Sequence, residues 1–369
     1  MSSTTTPFPA RRERAAALVR AAGLDALLLA PGSDLTYLTG YRIFSTERLT
    51  CLVLDQNGAA TLVLPALEAP RAAVSAPGLA LATWGETDDP YALVARHLPI
   101  GAAVAVSDQM WAAFVLRLQA AIPGGRTFRP ASEVTRLLRV RKDPAELLAL
   151  RAVAAGADRA YARIRTMPFA GRTEHEIAGE LSRLLREEGH DDVMFTIVAS
   201  GPNGASPHHQ TGDRRIAPGD AVVLDFGGTR ASYCSDITRT VHVGGAPAAV
   251  LVRVHDLVRR AQEAGYAAAQ SGATAASVDA AARAVIAAGG YGEFFIHRLG
   301  HGIGLDGHEH PYLVAGNEEP LGPGMAFSIE PGIYLPGTFG VRIEDVAIIG
   351  SDGRAEPLNR ADHALALVG

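Results

Sequence analysis

Four carboxylates and one histidine, each set in apolar or glycine-rich sequence, constrain this chain more than anything else in it. Asp225 lies in VVLDFGG, Asp236 in YCSDITRT, His301 in LGHGIGL, Glu330 in FSIEPGIY and Glu344 in GVRIEDV. Such segments read as interior backbone, and an ionised carboxylate taken out of water needs a partner, a proton or a metal. Four buried charges match two divalent cations. The fold is therefore expected to gather five segments, scattered from residue 225 to residue 344, around one centre.

An internal echo ties the acids into two halves. Pro218-Gly219-Asp220-Ala221-Val222-Val223-Leu224-Asp225 and Pro323-Gly324-Met325-Ala326-Phe327-Ser328-Ile329-Glu330 share the pattern PGxAxxx[DE]: a turn, a strand and an acid at one offset. A second acid follows each copy on another strand-like segment, Asp236 after the first and Glu344 after the second. A duplicated half-site is expected, made unequal by His301.

At 369 residues with 48% apolar content, the chain is long enough for two cores. Residues 1–140 alternate helical and strand-like patterns: a helix in ARRERAAALVRAAG ended by Gly23, a strand in DALLLA, a turn, then strands in CLVLDQ, ATLVLP and AVAVSD. Helices follow at WAAFVLRLQAAI and SEVTRLLRV, which makes this half an α/β domain. Asp143-Pro144-Ala145-Glu146 then supplies an N-cap, a proline at the first helical position and a capping glutamate, so a second domain is expected over 141–369. Its first helix runs from Pro144 toward Met167. The next starts at the Thr173–Glu176 capping box and stops near Gly189. Acid-bearing strands and two more helices, near 248–270 and 277–288, complete an α+β half.

Net charge of −5 argues against a nucleic-acid or anionic-membrane partner. The longest apolar stretches are too short or too interrupted by charge to span a bilayer. Two cysteines far apart, Cys51 and Cys234, fit a reducing compartment, and with a polar, proline-bearing N-terminus they predict a cytoplasmic protein. The basic runs RRER (11–14) and RLLRVRK (136–142) are expected to be solvated helix faces and a hinge. Gly300-His301-Gly302-Ile303-Gly304 lacks dinucleotide-loop spacing, His308-Glu309-His310 lacks HExxH spacing, and no GxSxG elbow is present.

Oxygen donors suit hard or borderline ions, while the histidine favours a transition metal, so manganese is the first choice, with cobalt, iron or zinc fitting the same donors. Two such ions roughly 3.5 to 4 Å apart would hold a bridging water, lower its pKa and polarise a carbonyl. That is chemistry for amide hydrolysis.

In this order and with this character, the five segments resemble the pita-bread metallopeptidases: methionine aminopeptidase, aminopeptidase P and prolidase, with creatinase as a relative lacking the metal. The resemblance covers nearly the whole chain. The part from Asp143 onward is similar to the pita-bread catalytic domain, and the first 140 residues to the creatinase-type N-terminal domain, which implies the proline-specific branch. It further implies that Asp225 chelates one ion, His301 and Glu330 hold the other, and Asp236 and Glu344 bridge both. His208, in VASGPNGASPHH, and His308, in GLDGHEHP, match family histidines that hydrogen-bond substrate or developing oxyanion charge. Their neighbours His209 and His310 are assigned to the loop and the rim.

Glu330 is the expected proton shuttle. Arg342 shares a strand face with Glu344 and is expected to orient it or reach the substrate carboxylate. Thr238 is a hydroxyl supporting the ligands, and Cys234 a small buried thiol. The expected activity is hydrolysis of an Xaa-Pro bond, with a dipeptidase (prolidase) preferred to aminopeptidase P, and a non-catalytic peptide- or protein-binding homologue as a further alternative. A dipeptidase needs a clamp for a free carboxylate; Arg298, Arg42 and Arg48 are candidates beside Arg342. A homodimer is implied by the same resemblance.

Overall fold

The structure is a computed structural model in which residues 6–122, 124 and 127–369 are described. The chain divides into two compact units, Met1–Arg139 and Val140–Gly369.

The first unit is built on six strands: β1 Ala26–Leu29, β2 Cys51–Asp55, β3 Ala60–Pro65, β4 Ala80–Trp84, β5 Ala103–Val106 and β6 Thr127–Pro130. They lie in the order β4-β3-β2-β1-β5-β6, with β1 antiparallel to β2 and parallel to β5. All four residues of β1 are buried, as a continuous apolar run is when both sheet faces are covered. A helix stands where the sequence suggested only a turn after DALLLA: Ser33–Thr39, closed by Gly40 in the left-handed region at φ +77°. The segment is too short for its periodicity to have shown.

In the second unit both capping boxes form. Asp143 accepts from the Glu146 N–H at 2.9 Å and Glu146 accepts from the Asp143 N–H at 2.9 Å, starting the helix Pro144–Ile164. Thr173 and Glu176 do the same for the helix Glu174–Glu187. The strands are β7 Asp192–Ser200, β8 Ala221–Arg230, β9 Tyr233–Cys234, β10 Ile237–Val243, β11 Gly300–Gly302, β12 Glu309–Leu313, β13 Ala326–Ile329, β14 Gly332–Leu335, β15 Phe339–Arg342, β16 Asp345–Ile349, β17 Ala355–Pro357 and β18 Ala366–Val368. One sheet runs β18-β10-β8-β7 with β9 added to β8; another runs β12-β11-β13-β16-β17; β14 and β15 form a hairpin.

Each large sheet has its own helical cover. Ile177, Leu181 and Leu184 of the helix Glu174–Glu187 pack on Val222, Leu224 and Val241 of the first sheet. Val254, Val258 and Ala261 of the helix Ala249–Ala268, with Val278, Ala282 and Ile286 of Ala275–Ala288, pack on Phe327, Ile329 and Ala347 of the second. Both copies of the sequence echo become turn plus strand: Gly219 (φ +97°) leads into β8 and Gly324 (φ +82°) into β13. β8 pairs with β10 and β13 with β16, both antiparallel. The halves meet at one antiparallel bridge between Thr238 and Glu344, where the Glu344 N–H donates to the Thr238 carbonyl at 3.0 Å.

Candidate metal centre

Strand alternation decides which way the acids face. On β8, Val222, Leu224 and Phe226 enter the core, so Asp225 points to the opposite side. Past β13, Glu330 follows the same rule beside core residues Phe327 and Ile329, and Ile343 enters the core between Arg342 and Glu344. Ile237 likewise leaves Thr238 facing the acids. The concave side so formed is a cavity of about 530 Å³ lined by Asp225, Asp236, His301, Glu330 and Glu344.

Donor atoms of Asp225, Asp236 and Glu344 all lie within 4.8 Å of one another, as do those of His301, Glu330 and Glu344, and of Asp236, His301 and His308. Glu344 is common to the first two groups. His301 is almost fully buried, and its Nδ1 lies 3.1 Å from the Gly302 carbonyl, which assigns the proton to Nδ1 and leaves the Nε2 lone pair for the cavity. That Nε2 is 3.4 Å from Glu330 Oε1 and 3.7 Å from Asp236 Oδ2. Burial pushes the imidazole down to about 3, with the neighbouring His308 adding to the effect, so the ring is neutral and able to offer a lone pair to a cation. Glycine on either side is a packing requirement: a Cβ at Gly300 would stand 2.0 Å from the Ser328 carbonyl oxygen, and one at Gly302 2.1 Å from that of His310.

Electrostatics mark the site as built for cations. Burial raises Asp236 and Glu344 well above the usual carboxylate range, and the other acids raise them further. Burial also takes Glu330 up to about 7, Asp225 adding to it against the opposing charge of Arg342. Four carboxylates crowded this way repel one another, and a donor set of carboxylate oxygens plus one neutral imidazole suits divalent transition ions.

Arg342 is buried, and each of its three nitrogens donates a hydrogen bond. Its Nη2 donates to Asp225 at 2.5 Å, Nη1 to the Tyr334 hydroxyl at 2.9 Å and Nε to Thr238 Oγ1 at 3.2 Å. Thr238 in turn donates to Glu344 at 2.6 Å, so the arginine reaches Glu344 only through the threonine. Besides this indirect link to Glu344, the guanidinium pairs directly with Asp225, spanning from β15 across to β8. His297 extends the chain, with Nε2 2.9 Å from the Tyr334 hydroxyl and Nδ1 2.8 Å from the Arg298 carbonyl. His297 and Tyr334 did not stand out in the sequence; the only signal was the HxxxH spacing of His297 to His301.

His208 is exposed on the loop after β7 and lines the cavity. His308 also lines it, its ring 3.8 Å from that of His301, and its Nδ1 takes a 3.3 Å contact from Arg298. The Arg298 guanidinium lies 4.3 Å above the ring of Tyr312 and lines the same cavity. His209 bonds Glu174 and His310 packs its ring on Tyr312. Cys234 lies in an apolar cluster and donates weakly to the Leu305 carbonyl. Arg42 and Arg48 belong to the first unit, where Arg48 pairs with Glu47 and Glu86. Apolar lining comes from Phe195, Ile197 and Pro207. No helix among the described residues is long and apolar enough to cross a membrane.

Two family descriptions match the chain: metallopeptidase family M24 over residues 148–351 and the Creatinase/Prolidase N-terminal domain over residues 11–141. The "Probable dipeptidase PepE" of Mycobacterium tuberculosis is 46% identical over 368 residues, covering 98% of this chain and 96% of that protein. The Xaa-Pro dipeptidase of Lactobacillus helveticus is 36% identical over 86% of this chain and 88% of its own length. Among solved structures, the recombinant prolidase of Thermococcus sibiricus superposes with a TM-score of 0.93 at 37% identity, over 99% of this chain and 100% of that one.

Proposed function

This chain belongs to metallopeptidase family M24, with a pita-bread catalytic domain behind a creatinase-type N-terminal domain, and from that premise we propose that it is a two-metal Xaa-Pro dipeptidase. In this reading the N-terminal domain spans 1–140 and the catalytic domain 141–369. Asp225 and His301 with Glu330 would hold the two ions separately, and Asp236 with Glu344 would be shared; manganese fits this oxygen-rich set with one imidazole. When bound, such ions supply Lewis acidity to a carbonyl and acidify water.

The chain's own groups do the rest. Glu330, one oxygen of which takes the Ser328 hydroxyl at 3.2 Å, would accept the proton of the attacking water and return it to the leaving nitrogen. Proline's nitrogen carries no hydrogen in the peptide, so this protonation is what releases it. His208 and His308 would donate to the oxyanion as it develops. Arg342 would orient Asp225 directly and Glu344 through Thr238.

The observation that carries the dipeptidase reading is Arg298. It is the arginine whose planar face rests on Tyr312 while its side chain lines the cavity, and the three donor nitrogens of Arg342 are already engaged. A guanidinium so held is suited to the free carboxylate of a dipeptide. The names of the relatives, dipeptidase and Xaa-Pro dipeptidase, support the same substrate class. A cytosolic homodimer belongs to this reading as well, supported by two buried cysteines, neither in a disulfide, for the compartment and by the family resemblance for the dimer.

The test is hydrolysis of Ala-Pro and Ala-Pro-Ala by the purified full chain, before and after chelation and after manganese is restored. Ala-Pro is expected to be cleaved faster, with activity lost on chelation and regained with the metal; preference for the tripeptide would assign an aminopeptidase P instead. Arg298→Ala should raise KM for Ala-Pro about 10- to 100-fold, the range of a lost charge-assisted hydrogen bond, and leave Ala-Pro-amide within about 3-fold. Equal losses on the acid and the amide would remove Arg298 from the clamp.

A further inference from the structure

We infer that Glu174, at the start of the helix Glu174–Glu187, is a positioning residue that sets the place of His208 in the cavity. The inference rests on the proposed peptidase reading of His208.

The side chain of Glu174 has no exposed surface. At a helix start, an acid on the solvent side is an ordinary stabilising feature. Burying that acid is costly unless every lone pair finds a donor. Here each does, and all the donors come from one stretch of chain. Oε1 accepts from the Ser200 N–H at 2.8 Å, the Ser200 hydroxyl at 2.7 Å and the Asn203 amide at 2.9 Å. Oε2 takes His209 Nε2 at 2.8 Å and the Gly212 N–H at 3.1 Å. Burial pulls the carboxyl up, but the bonds from Ser200, His209 and Asn203 outweigh it and hold it below its ordinary value.

One carboxylate therefore grips both ends of the loop 200–212. His208 sits between the two grips, next to His209. Among the described residues the His208 ring has no hydrogen-bonding partner of its own, so the backbone that carries it sets which part of the cavity the ring can reach. Catalytic donors lose effect when displaced by about an ångström. A helix-capping role would need one of these bonds; it does not account for five bonds to the loop that carries the cavity histidine.

Glu174→Gln keeps the shape, removes the charge and leaves an amide NH2 facing at least one N–H that can only donate, that of Ser200 or of Gly212. The full chain, loaded with manganese, is assayed on Ala-Pro as Glu174→Gln, His208→Ala and the double variant. Glu174→Gln is expected to lower kcat/KM by about 10- to 100-fold, mostly in kcat, with metal content unchanged. In the His208→Ala background the same change should cost less than about 2-fold. Hydrogen exchange is read in parallel on the same proteins. The amides of 200–212 should exchange faster in Glu174→Gln while those of 174–187 keep their protection.

Additive losses, or unchanged exchange in the loop, overturn the inference and leave the peptidase reading standing. A fully active His208→Ala overturns the role of His208 and the inference together. Should Glu174→Gln not fold, Asn203→Ala removes one of the five donors and is put through the same cycle, with a loss of about 3- to 10-fold expected that vanishes in the His208→Ala background.

Discussion

Asp236→Asn should abolish peptidase activity and yet make the metal-free protein harder to unfold. Asp236 is buried among Asp225, Glu330 and Glu344, and both its burial and those neighbours disfavour its charge. Removing one of four crowded negative charges relieves repulsion in the absence of metal, so the transition measured in chelator should rise. A gain of about 1 kcal/mol moves Tm by roughly 2 to 4 °C for a unit the size of Val140–Gly369. With manganese present the order should reverse, because the variant lacks a proposed ligand and binding would contribute less to the folded state. Turnover of Ala-Pro should fall by about a thousandfold or more, the scale of losing metal-assisted charge stabilisation. Thermal melts with chelator and with manganese, beside an Ala-Pro assay, separate the two effects. Cleavage at a tenth of the native rate or better would exclude a two-ion mechanism with Asp236 as a shared ligand.

The second large effect lies behind the site. Arg239→Met should destabilise the protein by about 3 to 5 kcal/mol, the usual cost of removing one partner from a buried ion pair. The Arg239 side chain is 2% exposed and its partner Asp345 is 0% exposed, with Nη2 donating to Oδ1 at 2.6 Å. Its remaining donors reach main-chain carbonyls on three segments: Thr238 at 2.9 Å, Glu344 at 2.7 Å, and Ala361 and Asp362 at 2.8 and 3.1 Å. Thr238 and Glu344 form the bridge between the two acid-bearing halves, so metal affinity should fall with stability. Asp345 would be left with His363 and Gln262 alone. Urea unfolding of Arg239→Met, Asp345→Asn and the double variant gives the coupling, and the double variant should lose much less than the sum of the singles. A loss below about 1 kcal/mol for Arg239→Met would show that the neighbouring chain relaxes to replace it.

How far the chain could be read in one dimension depended on whether a signal was local. Asp143-Pro144-Ala145-Glu146 and Thr173 to Glu176 announce helix starts because a capping box is closed within four residues. The repeated PGxAxxx[DE] pattern announced two equivalent strands because a proline-glycine turn and strand alternation fix where the following acid points. Gly300 and Gly302 marked close packing around His301, and the main-chain carbonyls of Ser328 and His310 are what presses on them. By contrast, the helix Ser33–Thr39 went unseen, since seven residues give too little periodicity to tell from a turn.

Partnerships across the fold were not legible. The shared strand face ties Arg342 to Glu344 or to a substrate carboxylate, but nothing local announces that its guanidinium also reaches Asp225, 117 positions away in sequence. Arg239 in the run TRT and Asp345 after Glu344 look like ordinary strand polar residues until β10 and β16 are brought together. Glu174 reads as a solvated helix-start acid until the loop 200–212 folds over it. The sequence by itself determined the kinds of donor, their burial in apolar strands and the two-fold order of the acids, because these follow from neighbours within a few residues. Only the tertiary structure decided which arginine meets which acid and which carboxylate grips the loop that carries His208. Those contacts join segments far apart along the chain, and their energies arise only when water is excluded between them.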